Sequence, residues 1–214
     1  MTVPGITVFG QQSHPDWTAG TPIAEDVTGF PTDYVALDLE TTGFYPNRCA
    51  ITEIGAVRVR GGRVVDQFQQ LINPLCPIPR QITALTGITD AMVADHDPID
   101  GVLPQFISWL ADSNAAAETE PIVGHNVSFD LRFLDYNTRH IAGCGFACAD
   151  YDTMQISRAL FPKQSHHRLA DLIVRFGIAD NEEHRALSDA IQTQQCFESV
   201  SYTHLRAHET LRHL

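Results

Sequence analysis

An α/β fold, a mixed sheet covered by helices, is predicted by three features of the chain. Three segments with strand-like alternation come first, between residues 34 and 72. A short apolar run, Pro121 to Gly124, comes much later, and helical apolar spacing fills most of the remainder. Strands first, then strand and helix in alternation, describe a sheet with helices packed on it.

Residues 1 to 32 hold Pro4, Gly5, Gly10, Pro15, Gly20, Pro22, Gly29 and Pro31 with no sustained period, so an irregular extension is expected there and the folded domain from Asp33. Tyr34 to Glu40, Ile51 to Arg60 and Val64 to Ile72 read as strands, the last two joined at Gly61-Gly62, a hairpin turn, so the opening is three antiparallel strands. Pro79 to Leu85 and Ile99 to Ala111 carry helical spacing, and the acidic, Ala-rich Asp112 to Glu120 reads as an exposed loop. After the strand ending at Gly124, Asn126 is placed to cap a helix from about Val127 to His140. Tyr151 to Leu160, Leu169 to Phe176 and His184 to about Ser199 read as a short strand and three helices. The last segment, Ser201 to Leu214, drops the preceding apolar stripe for three His and three Leu. It resembles translated adapter read-through and is set apart as a non-native or disordered tail, which leaves 33–200 as the domain.

At 214 residues and 43% hydrophobic, the chain can bury one full core. No run approaches the roughly 18 apolar residues of a membrane span, and Met1 to Gly10 lacks a basic start and apolar block, so a soluble, cytoplasmic protein is expected. The five cysteines are scattered and read as reduced thiols. A net charge of -12 excludes a broad basic surface for long nucleic acid, and Lys163 is the only lysine. Any nucleic acid would have to be gripped locally, by carboxylates that collect divalent cations and so present positive charge to a phosphate.

Candidate carboxylates are present. On the first strand Asp38 and Glu40 project to one side, and Leu37 and Leu39 to the other. Two acids so placed repel unless a cation lies between them, although an isolated D-x-E is more often a strand running into a solvated acidic turn. Asp130 falls in the first turn of its helix, where the dipole alone would favour it. Ala186, Asp189, Ala190 and Thr193 share one helix face, so small residues surround an acid that is costly to bury unless bonded or metal-bound. His184 sits near the start of that helix. Four acids and one histidine together are the equipment for metal-assisted phosphodiester hydrolysis. His14, His96, His140 and His166-His167 have weaker cases, and Gly61-Gly62 and Gly87 are turns with no phosphate-cradling pattern after them.

DLETTGF (38–44), GHNVSFD (124–130) and HRALSDA (184–190) resemble, in order and spacing, the three exonuclease motifs of the DEDDh or DnaQ-like family. TEIGAVRV, ITALTGIT and HRLADLIVRFGI, between them, are similar too, and the likeness spans about Tyr34 to Ser199. The resemblance implies a ribonuclease H-like fold, a five-stranded mixed sheet of three antiparallel strands then two parallel ones. It implies 3'-5' exonuclease activity with two Mg2+ or Mn2+ ions, held by Asp38, Glu40, Asp130 and Asp189, with His184 as general base. Thr41, Thr42, His125, Asn126 and Phe129 would meet the substrate. H-x4-D spacing, with Arg185 four residues before the final acid, points to the histidine branch. The expected partner is a single-stranded 3' end, most readily of DNA in proofreading or repair. An RNA-trimming enzyme and a non-catalytic end- or polymerase-binding module are the alternatives, and work alone, as a homodimer or beside a DNA polymerase stays open.

Overall fold

The computed structural model describes residues 30–111 and 120–212, with side chains to Ser201. The N-terminal extension (but for its last residues) and the loop 112–119 lie outside the described residues. The chain divides after Pro31, and every described element belongs to the unit that begins at Thr32.

In order, the elements are β1 (Tyr34–Thr41), β2 (Ile51–Arg60), β3 (Arg63–Leu71), α1 (Arg80–Thr86), α2 (Asp90–Val93), α3 (Ile99–Ala111), β4 (Ile122–Gly124), α4 (Ser128–Ala142), β5 (Asp150–Asp152), α5 (Thr153–Leu160), α6 (Leu169–Arg175) and α7 (Ala186–Arg212). They form one five-stranded sheet of order β3-β2-β1-β4-β5. The pairs β1·β2 and β2·β3 are antiparallel, and β1·β4 and β4·β5 are parallel. This is the expected mixed sheet. Gly61 and Gly62, at φ 54° and 73°, make the two-residue turn between β2 and β3, which needs positive φ at both positions. The Asp33 carboxylate accepts the Gly61 N–H at 2.8 Å.

The period-two alternation of β1 decides what each sheet face becomes. Val35, Leu37 and Leu39 enter a buried cluster with Ile54 and Ala56 of β2, Val102, Leu103 and Phe106 of α3, and Phe133 and Leu134 of α4. The opposite face meets α7, which lies across β2, β1 and β4. There Tyr34 packs edge-on against Phe197 with ring centroids 5.0 Å apart, and its hydroxyl donates to Glu198 at 2.6 Å. Asp38 and Glu40 share the phase of Tyr34, so they lie on the α7 face.

Two local expectations are corrected. Asn126 does not cap α4 through its side chain: Val127 precedes the helix without a side-chain cap, and Asn126 adopts the left-handed conformation, φ 60°, its carbonyl accepting the Phe129 N–H at 2.9 Å. The Asn126 N–H is itself held by Asp152 at 3.0 Å. The last helix begins at Ala186, because His184 at φ 53° cannot belong to a right-handed helix. The short helix α2 was not anticipated; Thr89 caps it, accepting the Met92 N–H at 3.2 Å. Helix α7 also runs on to Arg212, through the segment the sequence set apart. No described helix is long and apolar enough to cross a membrane.

Candidate active site

Pairing between β1 and β4 covers only Val35 and Ala36, so the carboxyl end of β1 projects past its parallel neighbour. The Leu39 N–H there donates to Asp130 Oδ1 at 3.1 Å, and this bond is buried. A carboxylate from the first turn of α4 thus takes the place of a missing strand partner. On its other side β1 stays paired with β2, with Asp38 opposite Gly55 and Glu40 opposite Glu53.

Gly55 governs how near α7 can come. A Cβ built on it would stand 2.1 Å from the Ala186 carbonyl carbon and from the Leu187 nitrogen, so the first turn of α7 rests on bare backbone. Beside it Glu53, fully buried, accepts hydrogen bonds from Arg185 Nε at 3.0 Å, Arg185 Nη2 at 2.8 Å and the Ala186 N–H at 3.1 Å. Gln69 donates to the same carboxylate at 2.9 Å. Burial alone would raise the Glu53 pKa, but these donors outweigh it and hold the group below its ordinary value. The glycine and the buried acid together seat the start of α7 on β2.

That seating brings Asp189 to β1. Carboxylate oxygens of Asp38, Glu40 and Asp189 lie within 4.8 Å of one another. Burial, followed by repulsion from Asp130, Glu40, Asp189 and Glu182, pushes the Asp38 carboxyl well above the usual range. Burial and then Asp189 raise Glu40 to about 8, and burial and then Glu182 raise Asp189 to about 7. Asp130 is raised as well, chiefly by burial. Asp189 is 2% exposed, and its Oδ1 has no hydrogen-bond partner among the described residues. Three converging carboxylates that resist ionisation, one with an orphaned oxygen, fit a divalent cation. An ion would neutralise the repulsion and supply the missing partner.

His184 stands at the rim, in the strained backbone just before α7. Its Nδ1 is 3.5 Å from Glu182 Oε1. Glu182, His184 and Asp189 make a second group whose ligand atoms all lie within 4.8 Å of one another. Sequence reading missed Glu182, and the available signal was the acidic NEEH run entering the third motif. It also missed Glu53, whose cue was being the lone acid of β2, with isoleucine on its C-terminal side.

The remaining sequence candidates line the same end of the sheet or support it. The Thr41 hydroxyl donates to the Gly43 carbonyl at 2.7 Å, and Thr42 Oγ1 accepts the Ala50 N–H at 2.9 Å, so both threonines brace the loop after β1. Asn126 is exposed. Phe129 packs on Phe133 at 5.0 Å and is partly buried against the main core. His125 faces inward, with Nδ1 2.9 Å from Thr153 Oγ1 and Nε2 buried without a partner among the described residues. Burial pushes its pKa down to about 4, which keeps the ring neutral.

Comparison with known proteins bears on the family and the fold. Residues 35–197 match the RNase_T family model, described as exonuclease. The chain is 35% identical over 164 residues to the DNA polymerase III subunit epsilon of Aquifex aeolicus, covering 77% of this chain and 78% of that one. It is 36% identical over 175 residues to the PolC-type DNA polymerase III of Thermotoga maritima, covering 82% of this chain but only 12% of that much longer protein. Among solved structures, exonuclease X in complex with 5'-overhanging duplex DNA superimposes with a TM-score of 0.62 at 28% identity, over 79% of this chain and 92% of that one. E. coli exonuclease I shares the fold alone, with a TM-score of 0.72 at 18% identity over 85% of this chain and 43% of that one. A family match that runs from β1 into α7, over a sheet that gathers three of the motif acids at one end, means that the chain belongs to the exonuclease family of DnaQ-like fold.

Proposed function

We propose that the chain is a divalent-metal-dependent 3'-5' exonuclease that acts on DNA ends and releases 5'-mononucleotides. The observation that carries this reading is the convergence of Asp38, Glu40 and Asp189, from two separate elements, within 4.8 Å. Asp38, Glu40 and Asp189 would hold a pair of Mg2+ or Mn2+ ions, with Asp130 behind them completing the second ion's surroundings. Bound there, the ions would supply charge stabilisation for the phosphate and favour ionisation of the attacking water. His184, at the rim and not locked in the helix, takes the proton from that water. Asp130 fixes the β1 backbone at Leu39, and Glu53 with Arg185 fixes the start of α7, so the acids from both elements meet in register. Thr41 and Thr42 brace the loop after β1 that would border the terminal nucleotide, and Asn126 and Phe129, which follow β4, would also meet it, with His125 bonded to Thr153 beside them.

DNA is favoured over RNA because the relatives include a DNA polymerase subunit and exonuclease X in complex with DNA. By the same likeness, a DNA polymerase is the partner to look for. The test is product analysis on matched 5'-labelled single-stranded DNA and RNA with Mg2+ or EDTA, for wild type and Asp38→Ala. A ladder that shortens from the 3' end of the DNA, and is lost with EDTA and with Asp38→Ala, is expected. Release of the labelled 5' nucleotide, or cleavage that survives EDTA, would overturn the proposal, and faster trimming of the RNA strand would overturn the substrate.

A further inference from the structure

The two ligand groups at the site share Asp189 but differ in chemistry. Asp38, Glu40 and Asp189 offer only carboxylate oxygen, the donor set that suits hard ions such as Mg2+. Glu182, His184 and Asp189 add an imidazole nitrogen, and one imidazole with two carboxylates suits borderline transition metals, Zn2+ foremost. Their ligand atoms lie within 4.8 Å of one another, so side-chain rotation would have to draw them to the roughly 3.4 Å between ligands of a tetrahedral ion with bonds of about 2.0–2.2 Å. The left-handed backbone at His184 presents the ring beside Glu182 ahead of α7, and Nδ1 already faces that carboxylate at 3.5 Å. Asp189, which both groups share, is 2% exposed, and its Oδ1 has no hydrogen-bond partner among the described residues, so an ion of either group could take it. The backbone of Glu183 acts the other way on the Asp189 carboxyl, lowering its pKa against the larger effects of burial and Glu182.

We propose that Glu182, His184 and Asp189 form a second, overlapping site that binds zinc and thereby inhibits the enzyme. An ion held there would withdraw His184 from the attacking water and compete for Asp189 with the catalytic pair. The inhibitory part rests on the function proposed above; the binding part does not. Glu182 lies outside the five residues that the three motifs supply for catalysis, so it separates the two metal functions.

The experiment is calorimetric titration of ZnCl2 into the full chain in saturating Mg2+, repeated with CoCl2 by visible absorption, for wild type, Glu182→Gln, His184→Ala and Asp38→Asn. One zinc ion per chain is expected, with affinity reduced about tenfold or more in Glu182→Gln and His184→Ala. Asp38→Asn should retain it within about threefold. In parallel, nuclease rates at increasing ZnCl2, each divided by that variant's own Mg2+-only rate, should show inhibition of wild type. Half-inhibition in Glu182→Gln should move upward by the same factor as its zinc affinity. Zinc binding equal in wild type, Glu182→Gln and His184→Ala, or lost in Asp38→Asn alone, would overturn the site. Zinc binding as expected in a chain with no Mg2+-dependent cleavage would uphold the site and sink the exonuclease reading; cleavage without zinc binding would do the reverse.

Discussion

Replacing Asp189 by Asn should make the metal-free protein more stable at pH 8 than wild type, and the gain should vanish in acid. The Asp189 carboxyl is raised from 3.8 to about 7, first by burial and then by Glu182. At about 1.36 kcal/mol per pKa unit, that displacement corresponds to about 4 kcal/mol. The sign follows from proton binding: the folded form holds the proton more tightly than the unfolded chain. Stability is therefore fully present below the unfolded value near pH 4 and is lost as pH rises through the folded value near 7. Asn has nearly the same shape and no charge to lose, so the variant escapes this decline. The Glu40 carboxyl, raised to about 8, acts in the same direction, but the two acids shift each other and their effects do not add. Urea unfolding in EDTA from pH 4 to pH 8.5 should show wild type losing stability across that window, and the difference from Asp189→Asn growing to about 4 kcal/mol. Mg2+ at about a hundred times its dissociation constant should return about 2.7 kcal/mol to wild type at pH 8 and much less to the variant. A difference between the two proteins that stays flat from pH 4 to pH 8 would refute the reasoning.

Two further substitutions test how α7 is held. Gly55→Ala puts a methyl group into the backbone of Ala186 and Leu187, so α7 must lift; a stability loss of about 1–3 kcal/mol in thermal denaturation, together with loss of Mg2+-dependent cleavage, is expected. Arg185→Ala leaves the fully buried Glu53 without its charge partner and should cost about 3–5 kcal/mol, whereas Glu53→Gln leaves an Arg185 whose side chain is 34% exposed and can rehydrate, so it should cost less. The opposite order in urea unfolding would show that the pair is not held as its geometry implies.

The sequence made the strands and the candidate acids legible because both rest on local rules. Alternation in YVALDLE places Asp38 and Glu40 together on one face whatever the rest of the chain does, and two adjacent glycines dictate the turn after β2. The burial of Asp189 among small residues was legible in the same way. The supports were not legible, because they depend on tertiary neighbours. Nothing local to Glu53 announces that Arg185, 132 residues later, will bond to it. Gly55 reads as an ordinary strand glycine until a helix is laid over it. Asn126 looked like a cap because its residue type and position fit one, yet Asp152 takes its N–H and turns the backbone left-handed. His184 was placed at the start of the helix that bears the 186–193 face, while the Ala186 N–H is bonded to Glu53 and the helix starts two residues later.

The supports also explain how a stable chain can keep an acid cluster that opposes its own folding. Each carboxylate in the cluster is raised by burial and by its neighbours, so the ionised site is a net cost to the metal-free fold. Glu53 is an acid of the same face, directly opposite Glu40, yet it is shifted the other way because three donors from the start of α7 and one from β3 meet it. One stretch of chain therefore carries a carboxylate, Asp189 of α7, into the cluster and, just ahead of the helix, the Arg185 guanidinium that stabilises the acid next door. Loss of Arg185 would leave Glu53 as a further repelling charge beside Glu40 and Asp189, so this ion pair does more than fasten a helix: it fixes which acids on this face are free to share a cation and which one is withdrawn from it. On the function proposed above, those free acids would hold a polyanion through the cations they collect, and the placement of α7 on Gly55 decides where that is.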